Sequence, residues 1–152
     1  MPQNKSVAAE WPGHMRVGSL RVVRSSVHYD ATVSFYRDLV GLPVIDGFHG
    51  SYGEDGTIFG LPGSTTHLEV VRSTQTSSPI DPFDQLVFYM PDQAAVDNAT
   101  KKLLDNGMHP VRDQHPYWED NGGITFLDPD GRGLIYASWV YGRDPQPSES
   151  EH

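Results

Sequence analysis

No cysteine occurs in the 152 residues. Disulfides, thiolate zinc or iron–sulfur sites and cysteine nucleophiles are therefore excluded, and the redox compartment stays undetermined. No apolar run is long enough for a signal-peptide core or a spanning helix, so the expectation is a cytoplasmic protein without a membrane partner. Basic charge is also scarce. Against 20 Asp and Glu there are 11 Lys and Arg, a net charge of -9, and the cations are scattered rather than gathered. A phosphate backbone would be repelled over most of such a surface, so no nucleic-acid partner is expected. There is no GxSxG elbow, Walker loop or dinucleotide fingerprint, and no HxH or HxxxH pair. Nucleophilic hydrolysis is disfavoured accordingly. The length that remains suits one domain burying roughly two-thirds of the surface its unfolded chain exposes.

Composition sets the boundaries. Residues 1–18 and 142–152 read as disordered tails, polar and broken by Gly and Pro. Between them lies a single domain, residues 19–141, whose Ser/Thr/Pro-rich stretch at about 73–83 reads as a connector. It separates a first module, about 19–72, from a second, about 84–141. In the first, LRVVRSSV is a strand, and Asp30 is placed to cap the helix ATVSFYRDLV before Gly41 stops it. Val33, Tyr36, Leu39 and Val40 give that helix an apolar stripe. LPVIDGF, TIFGLPG and HLEVV follow as three strands.

The second module repeats the order. QLVFYM is a strand, and Asp92 is placed to cap QAAVDNATKKLLDN, with Val96, Ala99, Leu103 and Leu104 facing in and Gly107 as the stop. Three strands are again expected: around His109 to Arg112, then GGITFLD, then GLIYASW after the turn Asp128-Pro129-Asp130-Gly131. Arg21 aligns with Gln85 and His28 with Asp92, so the repeat is visible in the sequence itself. The predicted fold class is α+β, with two βαβββ modules forming a curved mixed-sheet cup as the site for a small-molecule ligand.

Parity then assigns faces. His67, Glu69 and Val71 share one face of their strand, and a carboxylate there needs a cation, a metal or several donors. Arg21, which shares a face with Val23 and Ser25, is the available cation. In the second module Gln85, Val87 and Tyr89 share a face. Tyr117 and Trp118 lie among turn formers in PYWEDNGG, which places them at a strand entrance where a flat or apolar ligand would stack. His14, His28, His49, His109 and His115 have no metal-ligand spacing, and the last two are expected at the surface.

SFYRDLVGLPVI, THLEVV, LVFYMPD and GGITFLDPDGRGLIY together resemble the vicinal oxygen chelate superfamily over about Leu20 to Tyr141. That is the group of glyoxalase I, extradiol dioxygenases, fosfomycin-modifying enzymes and bleomycin-binding proteins. FGLPG, HLEVV and PYWEDNGG are further similar to an uncharacterised bacterial branch. The resemblance implies the glyoxalase/bleomycin resistance/dihydroxybiphenyl dioxygenase-like fold and a homodimer. It also implies four inward places for one divalent ion. Here those places hold Arg21, Glu69, Gln85 and either Ile135 or Tyr136. A guanidinium cannot ligate a metal and repels one, so no cofactor is expected; Glu69 and Gln85 are the two residues that would hold an ion if one bound.

Three functions are compatible with these residues. The first is a metal-free protein that binds a small organic molecule, with Arg21 and Glu69 fixing its polar groups, Tyr89, Tyr117 and Trp118 its apolar surface, and His67 and Gln85 also among the ligand-binding residues. The second is a glyoxalase-like lyase or isomerase, or a dioxygenase. Glu69 would then be a metal ligand or the catalytic base that removes a proton beside a carbonyl, with Arg21 steadying the developing charge. The third is an interaction module whose cup its own side chains fill.

Overall fold

The computed structural model describes residues 12–63, 65–75, 80–81, 83–112, 116–120 and 122–138. The expected C-terminal tail, most of the N-terminal one, His115, and residues 76–79 and 82 of the connector lie outside these. The chain divides into two compact units. Of the described residues, one comprises those in Gly13–Ile80 together with Asp128–Gly131, and the other Pro12, those in Asp81–Leu127 and Arg132 to Ser138. Among the described residues no helix is long and apolar enough to cross a membrane.

In the first unit β1 (Leu20–Ser26) leads into α1 (Tyr29–Ser34) and a π-helical continuation, Phe35–Val40. β2 (Val44–Ser51), β3 (Glu54–Gly60) and β4 (Thr66–Arg72) follow, in a sheet of order β1-β4-β3-β2. β1 runs parallel to β4 and the other pairs are antiparallel. The face toward α1 is the core: Phe59, Leu68 and Val70 are buried, and the Tyr36 and Phe59 rings lie 6.2 Å apart. The helix differs from expectation at both ends. Its cap position is His28, with no capping side chain, while Asp30 sits inside the first turn and pairs with Arg72 at 3.1 Å. At the other end Gly41 N–H reaches back to the Tyr36 carbonyl at 3.1 Å, with Gly41 left-handed at φ 89°. That wider turn rotates the inward stripe. Thr32, Val33, Phe35 and Tyr36 are buried, whereas Leu39 and Val40 are only half-buried.

The missing cap comes from the turn Asp128-Pro129-Asp130-Gly131. Asp130 accepts from His28 N–H at 3.0 Å, Ser26 Oγ at 2.5 Å and Thr32 Oγ1 at 2.9 Å. Beside it Tyr36 Oη donates to Asp128 Oδ2 at 2.7 Å, and Asp128 Oδ1 takes the Asp130 N–H at 2.9 Å. The four-residue turn is thereby folded as part of the first unit.

The second unit contains β5 (Gln85–Tyr89), α2 (Gln93–Asp105), α3 (Pro116–Asp120), β6 (Ile124–Leu127) and β7 (Gly133–Ala137), with sheet order β5-β7-β6. Asp92 caps α2 as expected, accepting from Ala95 N–H at 2.8 Å, and Gly107 follows at φ 83°. The buried stripe is Val96, Thr100 and Leu103; Leu104 faces outward. β7 is central and buried along its length. Tyr136, stacked 6.2 Å from Phe88, has its phenol pushed up by burial to about 12. Its neutral form therefore contributes stability that is fully present below the ordinary 10.0 and is lost as pH rises toward about 12. An alkaline titration of tyrosinate absorbance should show a late step near 12 that Tyr136→Phe removes.

Two expectations are corrected here. The curved mixed-sheet cup is not formed: the strands fall into two separate open sheets, of four and three strands, neither curled nor closed. Among the described residues the second module also lacks its expected third strand. Of the His109 to Arg112 stretch only Val111 pairs, in a single bridge with Thr125. Pro110 has no N–H to give a ladder and Val111 alone finds a partner, so the smaller sheet ends at β6.

Candidate functional site

β1 and β4 place Arg21 beside His67 and Val23 beside Glu69, on the sheet face turned away from α1. Arg21 Nη1 donates to Glu69 Oε1 at 3.0 Å. The two side chains are 45% and 12% exposed, so the carboxylate is sunk and the guanidinium half-solvated. His67, half-buried, flanks the pair. A partly exposed pair of this kind contributes about 1 kcal/mol or less. Its weight is chemical: it sets a fixed donor beside a fixed acceptor.

In the second unit parallel pairing puts Gln85, Val87 and Tyr89 on one face with Gly133, Ile135 and Ala137. Ile135 therefore shares the Gln85 face, and Tyr136 lies on the other. Trp118 Nε1 donates to Gln85 Oε1 at 3.4 Å. The Tyr117 ring meets Trp118 edge-on at 5.0 Å, and Tyr89 lies 6.2 Å from it. The strand-entrance reading of Trp118 is corrected: the five-residue α3 turns it inward, and it is 9% exposed in a core with Ile135 and Ala137. Tyr89 stays exposed.

These positions do not fit the divalent ion that the sequence resemblance implies. Arg21 occupies one place and binds the carboxylate of the next, the Gln85 amide oxygen already accepts from Trp118, and Ile135 has no donor atom. Among the described residues no group of three or more His, Asp or Glu side chains is arranged to hold a metal.

A third place was not visible in the sequence. A cleft of about 430 Å³ opens beside the β2–β3 hairpin, lined by Tyr29, Phe48, His49, Asp55, Thr57 and Arg72 with two glycines. Asp55 is its hub, accepting from Gly50 N–H at 2.9 Å and Arg72 Nε at 3.1 Å, with His49 Nδ1 2.8 Å from it. The Gly50 amide, helped by Arg72 and His49, holds the Asp55 carboxyl below the usual 3.8. These residues lie on separate strands and a helix, and no local spacing announces them.

The two β-α-β units, with their parallel first and last strands, place the chain in the vicinal oxygen chelate superfamily of glyoxalases and bleomycin resistance proteins. Residues 20–71 match the YycE-like N-terminal domain and residues 84–136 the YycE-like C-terminal domain, so the chain belongs to the YycE-like family. It is 33% identical over 125 residues to the uncharacterized protein YycE of Bacillus subtilis, covering 81% of this chain and 89% of that one. The crystal structure of a Bacillus subtilis YycE protein of unknown function superposes with a TM-score of 0.74 at 28% identity, over 88% of this chain and 100% of that one. The fosfomycin resistance protein FosX of Listeria monocytogenes, complexed with Mn(II) and 1S,2S-dihydroxypropylphosphonic acid, shares the fold. Its TM-score is 0.64 at 12% identity, over 84% of this chain and 96% of that one. The resemblance drawn from SFYRDLVGL and FLDPDG is borne out at the level of superfamily.

Proposed function

We propose that this chain binds a small organic molecule at the β1/β4 face where Arg21, His67 and Glu69 gather, without a divalent ion. The observation that carries this reading is the 3.0 Å Arg21–Glu69 pair. It spends the one carboxylate among the family's four ligand places on a guanidinium. It also offers a ligand what a metal offers elsewhere, a fixed charge to hold a polar group. A molecule with an anionic or carbonyl oxygen for Arg21 and a hydroxyl or N–H for Glu69 answers that pattern. In the second unit Gln85, Tyr89 and Tyr117 offer a face of their own for apolar contact, and Trp118 supports it from beneath. Recognition of small molecules by others of this fold, the phosphonic acid complex of the Listeria protein among them, supports the reading.

Thermal-shift screening against a small-molecule library, with and without chelator, tests it. The expected result is a stabilising ligand whose effect is unchanged by chelator, and whose affinity falls about tenfold in Arg21→Ala and Glu69→Gln through loss of a charge-assisted hydrogen bond. Near-stoichiometric metal in protein purified without chelator, coupled to turnover, would overturn it. Turnover abolished in Glu69→Gln with ligand affinity retained would instead assign Glu69 the role of base.

A further inference from the structure

The Arg21–Glu69 pair leaves most of its own hydrogen-bonding capacity unused. A guanidinium carries several N–H donors and a carboxylate several lone pairs, yet among the described residues the one bond from Nη1 to Oε1 is all that either side chain makes. Glu69 Oε2 is not among the side-chain atoms sealed from solvent without a partner, so it opens outward. The Arg21 side chain is 45% exposed. Both charges can therefore be reached from the same side of the sheet. His67, the register partner of Arg21, shares that face.

The surroundings of the carboxylate are apolar. Across the strands Glu69 pairs with Val23 of β1 and with Ile58 of β3. A Cβ on Gly56 would run into the Phe48 ring, so that ring lies on the face shared by Gly56, Ile58 and Glu69, away from α1. The pair thus stands between Val23, which is 56% exposed, and a ridge formed by Ile58 and Phe48.

Charge then narrows the ligand. A lone anion on Arg21 also meets Glu69, and a lone cation on Glu69 also meets Arg21. The two charges of the pair are a hydrogen bond apart, so attraction and repulsion largely cancel for either. A neutral hydroxyl or carbonyl makes the same contacts with about half the strength. A ligand with both charges on neighbouring groups escapes the cancellation, because it closes a square in which every charge has opposite charges beside it. The α-amino acid is the compact molecule of that kind. We propose that the β1/β4 face takes a free α-amino acid with an apolar side chain as its zwitterion, carboxylate on Arg21, ammonium on Glu69 and side chain against Val23. The proposal rests on the reading of this face as the binding face.

Titration of the full chain with L-leucine, isocaproate and isoamylamine, followed by amide NMR, tests it. The last two keep the leucine side chain and lack the ammonium and the carboxylate respectively. L-Leucine is expected to shift the Arg21, Val23, His67 and Glu69 amides saturably, and each half-molecule should bind about tenfold more weakly for want of one charge-assisted bond. Glu69→Gln should weaken L-leucine about tenfold while isocaproate, freed from the repelling carboxylate, binds more tightly than to the parent. Arg21→Gln should weaken L-leucine likewise and tighten isoamylamine. Variants that weaken all three probes alike would overturn the proposal, and the comparison of probes on the parent decides it even if a variant unfolds. Isocaproate or isoamylamine binding as tightly as L-leucine at these amides would overturn the ligand class and leave the binding face standing. So would a library compound that shifts these amides where L-leucine does not, whereas no compound shifting them would overturn both.

Discussion

Asp130→Ala should destabilise the chain by about 3–5 kcal/mol, because it removes one charged acceptor from three donors at once. Ser26 and Thr32 are 1% and 2% exposed, so their hydroxyls would find no water to replace the carboxylate. The His28 amide at the start of α1 would lose its acceptor as well. The contrast is Asp92→Ala, which removes an exposed cap holding one amide of α2 and should cost about 1 kcal/mol. Asp130→Asn should fall between them: its amide oxygen still accepts, and a serine or threonine hydroxyl can turn to accept from its nitrogen. Urea unfolding of the three variants, compared at matched slopes, measures the order. A midpoint for Asp130→Ala no lower than that of Asp92→Ala would show that the turn is not a structural part of the first unit.

The Asp128-Pro129-Asp130-Gly131 turn also marks how far the sequence could be read. That a turn lies there follows from its residues, and Gly131 does adopt φ 92°. Where its carboxylates go does not follow, since Thr32 lies 98 residues away from Asp130. The same division runs through the rest of the molecule. Asp92 was readable as a cap because cap and helix are contiguous. The Arg21–Glu69 pair was readable because strand parity fixes each face locally, and the strand-helix-strand order then brings β1 beside β4. The repeat order and the superfamily were legible on those grounds. The cup was not, because whether two modules share one sheet is decided by pairing at strand edges far apart in sequence. The π-helical turn at Phe35–Val40 was hidden for a related reason: SFYRDLV has an α-helical pattern, and only the Gly41 N–H bond to the Tyr36 carbonyl shows the wider turn. The Asp55 cleft needed α1, β2, β3 and β4 in place before its residues met.

Trp118 is the site residue whose role changes most, and Trp118→Ala should cost about 3–5 kcal/mol, the loss expected for a large aromatic taken from a core. A residue at a strand entrance would cost far less and would affect ligand affinity alone. The structure gives the reason for the larger figure. Gly123 N–H bonds the Trp118 carbonyl at 2.6 Å, and a Cβ on Gly123 would meet that carbonyl oxygen at 3.0 Å, so α3 is drawn tightly onto the start of β6. The indole is thereby pressed onto Ile135 and Ala137 of β7. Trp118→Phe should recover most of the stability, since it keeps an aromatic body in place. It should not restore the donor to Gln85, so the Gln85 side-chain amide resonances should shift in both variants. If Trp118→Ala melts like the parent, the indole is dispensable to the core and the stacking role regains its place. If it melts far lower while Tyr89→Ala does not, contact with an apolar ligand in this unit falls to Tyr89, the aromatic of the cluster whose face remains exposed.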